Sequence, residues 1–270
     1  MPELPEVETT RRGIMPHLVN SRVKNVLVRQ AMLRWPVSPE LGQVLTGQKI
    51  VSVDRRGKYL FLSTEAGRMM IHLGMSGSLR ILDIGIAPEK HDHIDVMFDS
   101  NKLLRFRDPR RFGSVFWLPT GESHVLLERL GPEPLEKDFD TDYLFKQSRK
   151  RKLAIKQFLM TSQIVVGVGN IYANEALFMA GINPEKSAGK VSKKKYAELV
   201  QAVKFILAKA IEAGGTTLQD FVREDGSPGY FEQQLNVYGR GGEACVQCGK
   251  ILKEIRLGQR TTVFCASCQR

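Results

Sequence analysis

Cys245-Val246-Gln247-Cys248 and Cys265-Ala266-Ser267-Cys268 bracket a stretch of 16 residues near the end of this 270-residue chain. Each Cys-x2-Cys turn offers two thiolates to one tetrahedral ion, and the spacing is that of a four-thiolate zinc site. Two disulfides are the alternative. With all four cysteines inside the last 26 residues and a reducing compartment expected, metal is favoured. No histidine competes and four sulfurs close the shell, so the expected cofactor is one structural Zn2+ on Cys245, Cys248, Cys265 and Cys268. The residues between the pairs read as a β-hairpin with Gly258-Gln259-Arg260-Thr261-Thr262 near its tip. A hairpin this small cannot bury a core, so the metal is expected to hold it rigid while the tip presents Arg260.

Working upstream, Val165-Val166-Gly167-Val168-Gly169-Asn170-Ile171-Tyr172 sets two glycines immediately before a helix, where free N–H groups and the helix dipole attract phosphate. A dinucleotide fold does not fit: there is no third glycine in place, no preceding β-α-β unit, and helix on the upstream side. A plain helix-helix turn would need only one glycine. Two glycines, with Arg149, Lys150, Arg151, Lys152 and Lys156 just before them, point to a clamp on a DNA backbone. The flanking text has helical period: Lys152 to about Ser162, Ile171 to Ala180 closed by Gly181, and a long helix capped by Ser192 that ends at Gly214-Gly215.

Further back the pattern changes. From Val23 to about Trp117 short apolar runs alternate with Gly, Asp and Pro, which predicts a β-sandwich or flattened barrel. Gly131-Pro132-Glu133-Pro134-Leu135 and the acidic stretch to Asp142 have the composition of a hinge. At the other end, Met1-Pro2-Glu3-Leu4-Pro5-Glu6-Val7-Glu8 leads into a helix to about Leu18, with Pro5 suited to its first turn. Lys90-His91-Asp92-His93 reads as a surface strand rather than a metal pair. Asp108-Pro109-Arg110-Arg111-Phe112-Gly113 is a turn that suits a salt-bridged corner and a DNA-probing tip equally. Forty Lys and Arg against 29 Asp and Glu give +11, a field that attracts polyanions. Residues 1–30 hold no run of signal-peptide length and no stretch nears the ~20 apolar residues of a membrane span, so a cytoplasmic protein is expected.

The second residue has chemistry of its own. An α-amine has a pKa of ~7.7–8, well below a lysine, so a neutral fraction exists at pH 7. A secondary amine at a sugar C1′ forms a permanently cationic iminium, an electron sink that acidifies the C2′ proton and couples base loss to strand cleavage. Glu3 is placed to donate or relay protons. Met1 would have to be removed first, because it makes that nitrogen an amide.

Six ordered motifs bear a resemblance to one family: the Met1–Glu8 start, Arg56-Gly57-Lys58-Tyr59-Leu60, His72-Leu73-Gly74-Met75-Ser76-Gly77, the Asp108–Gly113 turn, Val168-Gly169-Asn170-Ile171-Tyr172 and the four cysteines. Across essentially its whole length the chain is similar to the formamidopyrimidine-DNA glycosylases of the Fpg/Nei family. The resemblance implies an α+β fold: an N-terminal helix and β-sandwich over 1–130, a hinge over 131–148, a helix-two-turn-helix domain over 149–235 and a zinc-bound hairpin over 236–270. It implies a monomeric, nucleoid-associated base-excision enzyme that flips out 8-oxoguanine and formamidopyrimidines and cleaves through a Schiff base and β,δ-elimination, also at abasic sites. Carried onto this chain it makes Pro2 the nucleophile, Glu3 the assisting acid, Lys58 a proton carrier in elimination and Arg260 the hairpin arginine of the second elimination. His91, Arg151 and Asn170 match DNA-contacting positions, while Met75, Arg110 and Phe112 match the trio that fills the gap left by the flipped nucleotide. Thr161 stands where many relatives have an acid, and residues 216–230 match a lesion-capping loop. The endonuclease VIII branch is disfavoured by Leu4 and the intact Arg110-Arg111-Phe112 corner. A damage reader without chemistry is disfavoured because it would have no use for Pro2, Glu3, Lys58 and Arg260 together.

Overall fold

A computed structural model describes residues 2–214 and 235–270. The chain divides into two compact units, one formed by residues 2–128 and the other by 129–213 with 235–270. The 216–230 loop lies outside the described residues.

The first unit opens with helix α1 (Leu4–Leu18), whose N-terminus is tied down by the Glu3 amide donating to the Glu6 carboxylate at 2.7 Å. After it come β1 (Val23–Val28), the short helix α2 (Leu41–Leu45), β2 (Ser52–Arg56), β3 (Tyr59–Ser63), β4 (Gly67–His72) and β5 (Ser78–Asp83). The remaining elements are β6 (Asp92–Phe98), β7 (Lys102–Arg107), β8 (Ser114–Pro119) and α3 (Val125–Glu128). The strands form two antiparallel sheets, ordered β1-β6-β7-β5 and β2-β3-β4-β8. Both sheets give alternate residues to one core: Val23, Ile94, Val96 and Leu104 from the first, Leu60, Leu62, Met69 and Ile71 from the second. Val7, Ile14 and Leu18 of α1 enter the same core, so the fold is the expected helix plus sandwich. The other face of the second sheet packs Phe61, Met70, Phe116 and Leu118 under Leu126 and Leu127 of α3.

In the second unit α4 (Thr141–Ser148), α5 (Ile155–Leu159), α6 (Asn170–Met179) and α7 (Lys193–Glu212) precede the hairpin β9 (Lys253–Leu257) and β10 (Arg260–Phe264). Helix α7 begins at the expected Ser192 cap, whose side chain accepts from the Lys195 amide. The Lys152–Ser162 helix is shorter than its periodicity predicts, because Ala154 forms a β-bridge with Ser187 and frees only Ile155–Leu159 to wind. The acidic stretch before Asp142 is also more ordered than its composition predicts. Phe139 is fully buried, Asp140 caps α4 through the Tyr143 amide, and α4 packs on α7.

Candidate active site and nucleic-acid interface

In the first unit Pro2 is buried and Glu3 is only 2% exposed at the head of α1. Helix α1 packs against β2 and β3, the strands whose tight turn carries Gly57, at φ +57, and Lys58. Beside that turn the β3–β4 register sets Tyr59 opposite His72, with ring centroids 4.9 Å apart. Burial pushes the His72 imidazole down to about 4, and the charges of Lys58 and Arg34 push it the same way. The ring is therefore neutral at pH 7, and its Nδ1 accepts the Gly74 amide at 3.0 Å. Glu8, further along α1, goes down to about 2 despite its burial, held there by Arg11, Arg12 and Arg55.

Gly74 explains how Met75 is aimed. At φ +67 it lies so close to the Phe112–Gly113 backbone that a Cβ would sit 2.4 Å from the Phe112 carbonyl carbon. The turn bearing Met75 is thus pressed onto the turn bearing Arg110 and Phe112. Asp108 joins them from beneath: fully buried, it accepts from Ser76 Oγ at 2.7 Å and from the Gly113 amide at 2.7 Å. Ser76 Oγ in turn accepts the Arg110 amide at 3.2 Å. Phe112 is 39% exposed, and the Arg110 guanidinium rides over its ring 4.7 Å from the centroid. Of the two readings of this turn the structure shows an internally braced corner whose side chains nevertheless face outward.

His91 sits just before β6, edge-on to His93 with centroids 6.5 Å apart. The surface-strand reading of this segment is corrected. Strand β6 is central, paired with both β1 and β7, and His93 is buried with Nε2 2.8 Å from the Asp108 carbonyl. A run of polar letters hid this because His93, Asp92 and Asp95 find partners inside, among them Arg105, which binds Asp95 through two nitrogens at 2.8 Å.

In the second unit the two-glycine turn leads into α6 with Gly167 at φ +80 and Gly169 as the N-cap. Asn170 opens the helix; its Nδ2 donates to the Thr261 carbonyl at 3.1 Å, while its buried Oδ1 has no hydrogen-bond partner among the described residues. Arg151, Lys150 and Lys152 are exposed. Two other members of that basic run turn inward. Arg149 caps the carbonyls of Gly189 and Val191 and stacks on Phe145 at 3.9 Å. Lys156, 1% exposed, donates to the Thr261 carbonyl at 2.9 Å and to Thr262 Oγ1 at 2.7 Å, tying α5 to the hairpin.

The hairpin turns on Gly258 and Gln259, both left-handed at φ +56 and +60, which brings Arg260 opposite Leu257 at the exposed tip. The sulfurs of Cys245, Cys248, Cys265 and Cys268 lie within 4.8 Å of one another. Tetrahedral zinc with Zn–S of ~2.3 Å needs sulfurs ~3.8 Å apart, and two of the pairs stand at 3.9 and 3.5 Å. The donor set and spacing fit one zinc ion. Burial alone would raise the Cys265 thiol, but the Cys268 and Ser267 amides together with the Cys248 and Cys245 thiols outweigh it and bring it to about 7. The neighbouring sulfurs push Cys268 up to about 12, as expected of four thiols that cannot all ionise without a cation among them. The hairpin does not rest on the metal alone, since Val263, Leu252 and Val237 pack with Phe178 of α6.

Two residues that hold this machinery were not evident from sequence. Glu175, 3% exposed on α6, accepts the amides of Asn236, Val237 and Tyr238 and so fixes the chain entering the zinc module. Its one sequence signal was an acid, beside Asn174, inside the mostly apolar Ile171–Phe178 run. Asp108 looked like a turn residue, and only the fold shows it buried beneath both probing turns.

Comparison with known proteins bears on the whole chain. The formamidopyrimidine-DNA glycosylase N-terminal domain matches residues 1–115, the formamidopyrimidine-DNA glycosylase H2TH domain matches 130–222, and the zinc finger found in FPG and IleRS matches 242–270. The chain is 57% identical over 270 residues to formamidopyrimidine-DNA glycosylase of Stutzerimonas stutzeri, covering 100% of both, and 59% identical to that of Shewanella amazonensis, covering 100% of this chain and 99% of the relative. Among solved structures it superposes on Lactococcus lactis Fpg in complex with abasic-site DNA at TM-score 0.92, with 34% identity and 99% of each chain covered. It superposes on the MutM (FPG) protein of Thermus thermophilus at TM-score 0.89, with 37% identity and 99% and 98% covered. With the sandwich, the two-glycine helix turn and the four-sulfur hairpin all in place, this chain belongs to the formamidopyrimidine-DNA glycosylase family.

Proposed function

We propose that the chain is a bifunctional DNA glycosylase and abasic-site lyase that excises oxidised purines from double-stranded DNA. The observation that carries this reading is the anchored N-terminus: Pro2 and Glu3 are buried together at the head of α1, against the strands that present Lys58. The Glu3 carboxylate also accepts the Glu6 amide in a capping box, so one buried acid both fixes the chain start and stands one residue from the Pro2 nitrogen. Once Met1 is removed, the Pro2 nitrogen attacks C1′ of a flipped nucleotide; the C1′–base bond breaks and the base leaves with a proton from Glu3. The joined nitrogen gives its N–H proton back to the Glu3 carboxylate, the C1′–O4′ bond opens with its electrons and that proton on O4′, and the iminium so formed withdraws electrons from C2′; a base takes the C2′ proton, and the C3′–O bond breaks with its electrons on the departing phosphate. Lys58 serves as the proton carrier in that elimination, and Arg260 assists the second, at the 5′ side.

Phosphate contacts come from His91, Arg151 and the Asn170 turn, whose N–H groups point away from the helix they begin. Met75 and Phe112 fill the vacated stack and Arg110 meets the orphaned base. The zinc ion, when bound, supplies no chemistry; the four cysteines use it to hold Arg260 in place. The proposed domains are 1–130, a connection over 131–148, 149–235 and 236–270. No described helix is long and apolar enough to cross a membrane, and we place the enzyme in the cytoplasm, on the nucleoid, as a monomer.

Borohydride trapping on an oligonucleotide with 8-oxoguanine opposite cytosine tests this. The adduct should map by mass spectrometry to the Pro2 peptide, and a chain extended before Pro2 should bind DNA without trapping. An adduct on Lys58 or another lysine would refute the assignment.

A further inference from the structure

Outside the motifs already assigned, the loop from Gln30 to Ser38 has an unusual division of labour. Leu33 and Val37 are 6% and 3% exposed and belong to the sandwich core, while Met32 and Trp35 between them are 58% and 46% exposed. The backbone is fastened along its length. The Val37 amide donates to the Ala31 carbonyl at 2.8 Å, Met32 bridges Pro36, and the Arg34 amide donates to the Gly113 carbonyl at 3.1 Å. The last bond ties the loop to the corner that carries Phe112. A loop braced this way holds its outward side chains in place, so their exposure is part of the architecture.

Met32, Leu33 and Arg34 of this loop line one cavity of ≈ 630 Å³ together with Met75, Arg110 and Phe112. Arg111, left-handed at φ +56, closes the set. The volume lies within the ~300–1,000 Å³ typical of small-ligand sites, room enough for one nucleotide. Three guanidiniums and no carboxylate line it, which favours an anion with planar acceptors. Two thioethers and an aromatic ring offer soft, polarisable contacts to a base face. The Arg34 charge also acts on Tyr59 and His72, which places this cavity beside the Lys58 turn.

Building on the proposed function, we propose that the Gln30–Ser38 loop is a third probing element, and that Met32 and Arg34 complete a site for the nucleotide of the undamaged strand left unpaired when its partner is turned out. Met32 packs against the base from the side opposite Met75, and Arg34 donates to that nucleotide's phosphate or base edge. A loop rooted in the core by Leu33 and Val37 then links recognition of the opposite strand to the position of Phe112.

The test compares the full chain with Arg34→Ala and Met32→Ala, both exposed positions outside the core. Three duplexes are used: a tetrahydrofuran abasic analogue opposite cytosine, the same duplex with a one-nucleotide gap in place of that cytosine, and an undamaged duplex. Both variants should weaken binding to the first about 10-fold and to the gapped duplex less than 2-fold. Equal losses on the intact and gapped duplexes would overturn the proposal and reduce Arg34 to a general backbone contact. Unchanged affinity for the intact abasic duplex would overturn it outright. A wild-type chain that binds abasic and undamaged duplexes alike would instead remove the functional reading beneath it.

Discussion

Asp108 is the residue on which the probing corner should prove most dependent. Its carboxylate is fully buried and receives two bonds of 2.7 Å, from Ser76 and from the Gly113 amide. Hydrogen bonds to a charged acceptor contribute ~1.5–3 kcal/mol each and neutral ones ~0.5–1.5. Asp108→Asn keeps the shape but has one acceptor oxygen for two donors, so it holds the Gly113 amide more weakly and turns its NH2 toward Ser76 Oγ, reversing that bond; offset in part by no longer burying a charge, the net loss should be about 1–2 kcal/mol. Asp108→Ala leaves a buried N–H and a buried hydroxyl unpaired, at ~1–3 kcal/mol each, and should lose about 3 kcal/mol or more. Both tryptophans, Trp35 and Trp117, lie in the first unit, so urea unfolding followed by tryptophan fluorescence reads that unit alone. With a slope of ~2 kcal/mol per molar, the midpoint should fall by ~0.5–1 M for the asparagine variant and by ~1.5 M or more for alanine. In urea-free buffer, where the asparagine variant is still folded, its affinity for abasic DNA should also drop, because Arg110 and Phe112 are no longer braced. An alanine variant whose midpoint stays within ~0.2 M of the parent would refute the reasoning.

Folding depresses the His72 pKa from 6.5 to about 4, so between those values the unfolded chain binds the extra proton. The His72 contribution should thus be full above pH ~6.5 and decline as pH falls toward 4, by up to about 3 kcal/mol; a His72→Leu variant should be less stable at pH 7 but should lack this decline down to about pH 5, below which loss of the Glu8 contribution begins in both chains. Cys248→Ser should abolish zinc retention, since such sites supply ~10–16 kcal/mol of apparent binding energy that is also folding energy. Elemental analysis should show no zinc, amides of β9 and β10 should lose exchange protection, and DNA cleavage should fail; active protein with no zinc would contradict this. Lys156→Met removes the donor to Thr261 and Thr262 from a site where the lysine is 1% exposed. The hairpin should then give up its metal to a chelator several-fold faster, and an unchanged rate would show that the zinc alone holds it.

Much of the molecule was legible in the sequence because the signals were local. Two Cys-x2-Cys turns report a tetrahedral site without reference to anything distant, and alternation from Val23 to Trp117 reports strands whichever sheet they join. The glycine pair before Asn170, the Ser192 cap and the Pro2-Glu3 start are equally self-contained. What these could not show is how polar residues are spent. Arg149 and Arg151 are two positions apart in one basic run, yet Arg149 caps carbonyls inside the second unit while Arg151 stays in solvent. His91 and His93 share a strand-like pattern, yet His93 is buried against the Asp108 carbonyl. Asp108, Glu175 and Lys156 were ordinary letters until residues tens to about a hundred positions away arrived to satisfy them. Backbone propensity and ligand spacing act within a few residues, so the sequence by itself determined the elements, their classes and the metal site. Satisfaction of a buried charge depends on groups that only the packed chain brings together, and so the bracing of the probing corner, the anchoring of the zinc hairpin and the cavity against the Gln30–Ser38 loop were decided by tertiary structure alone.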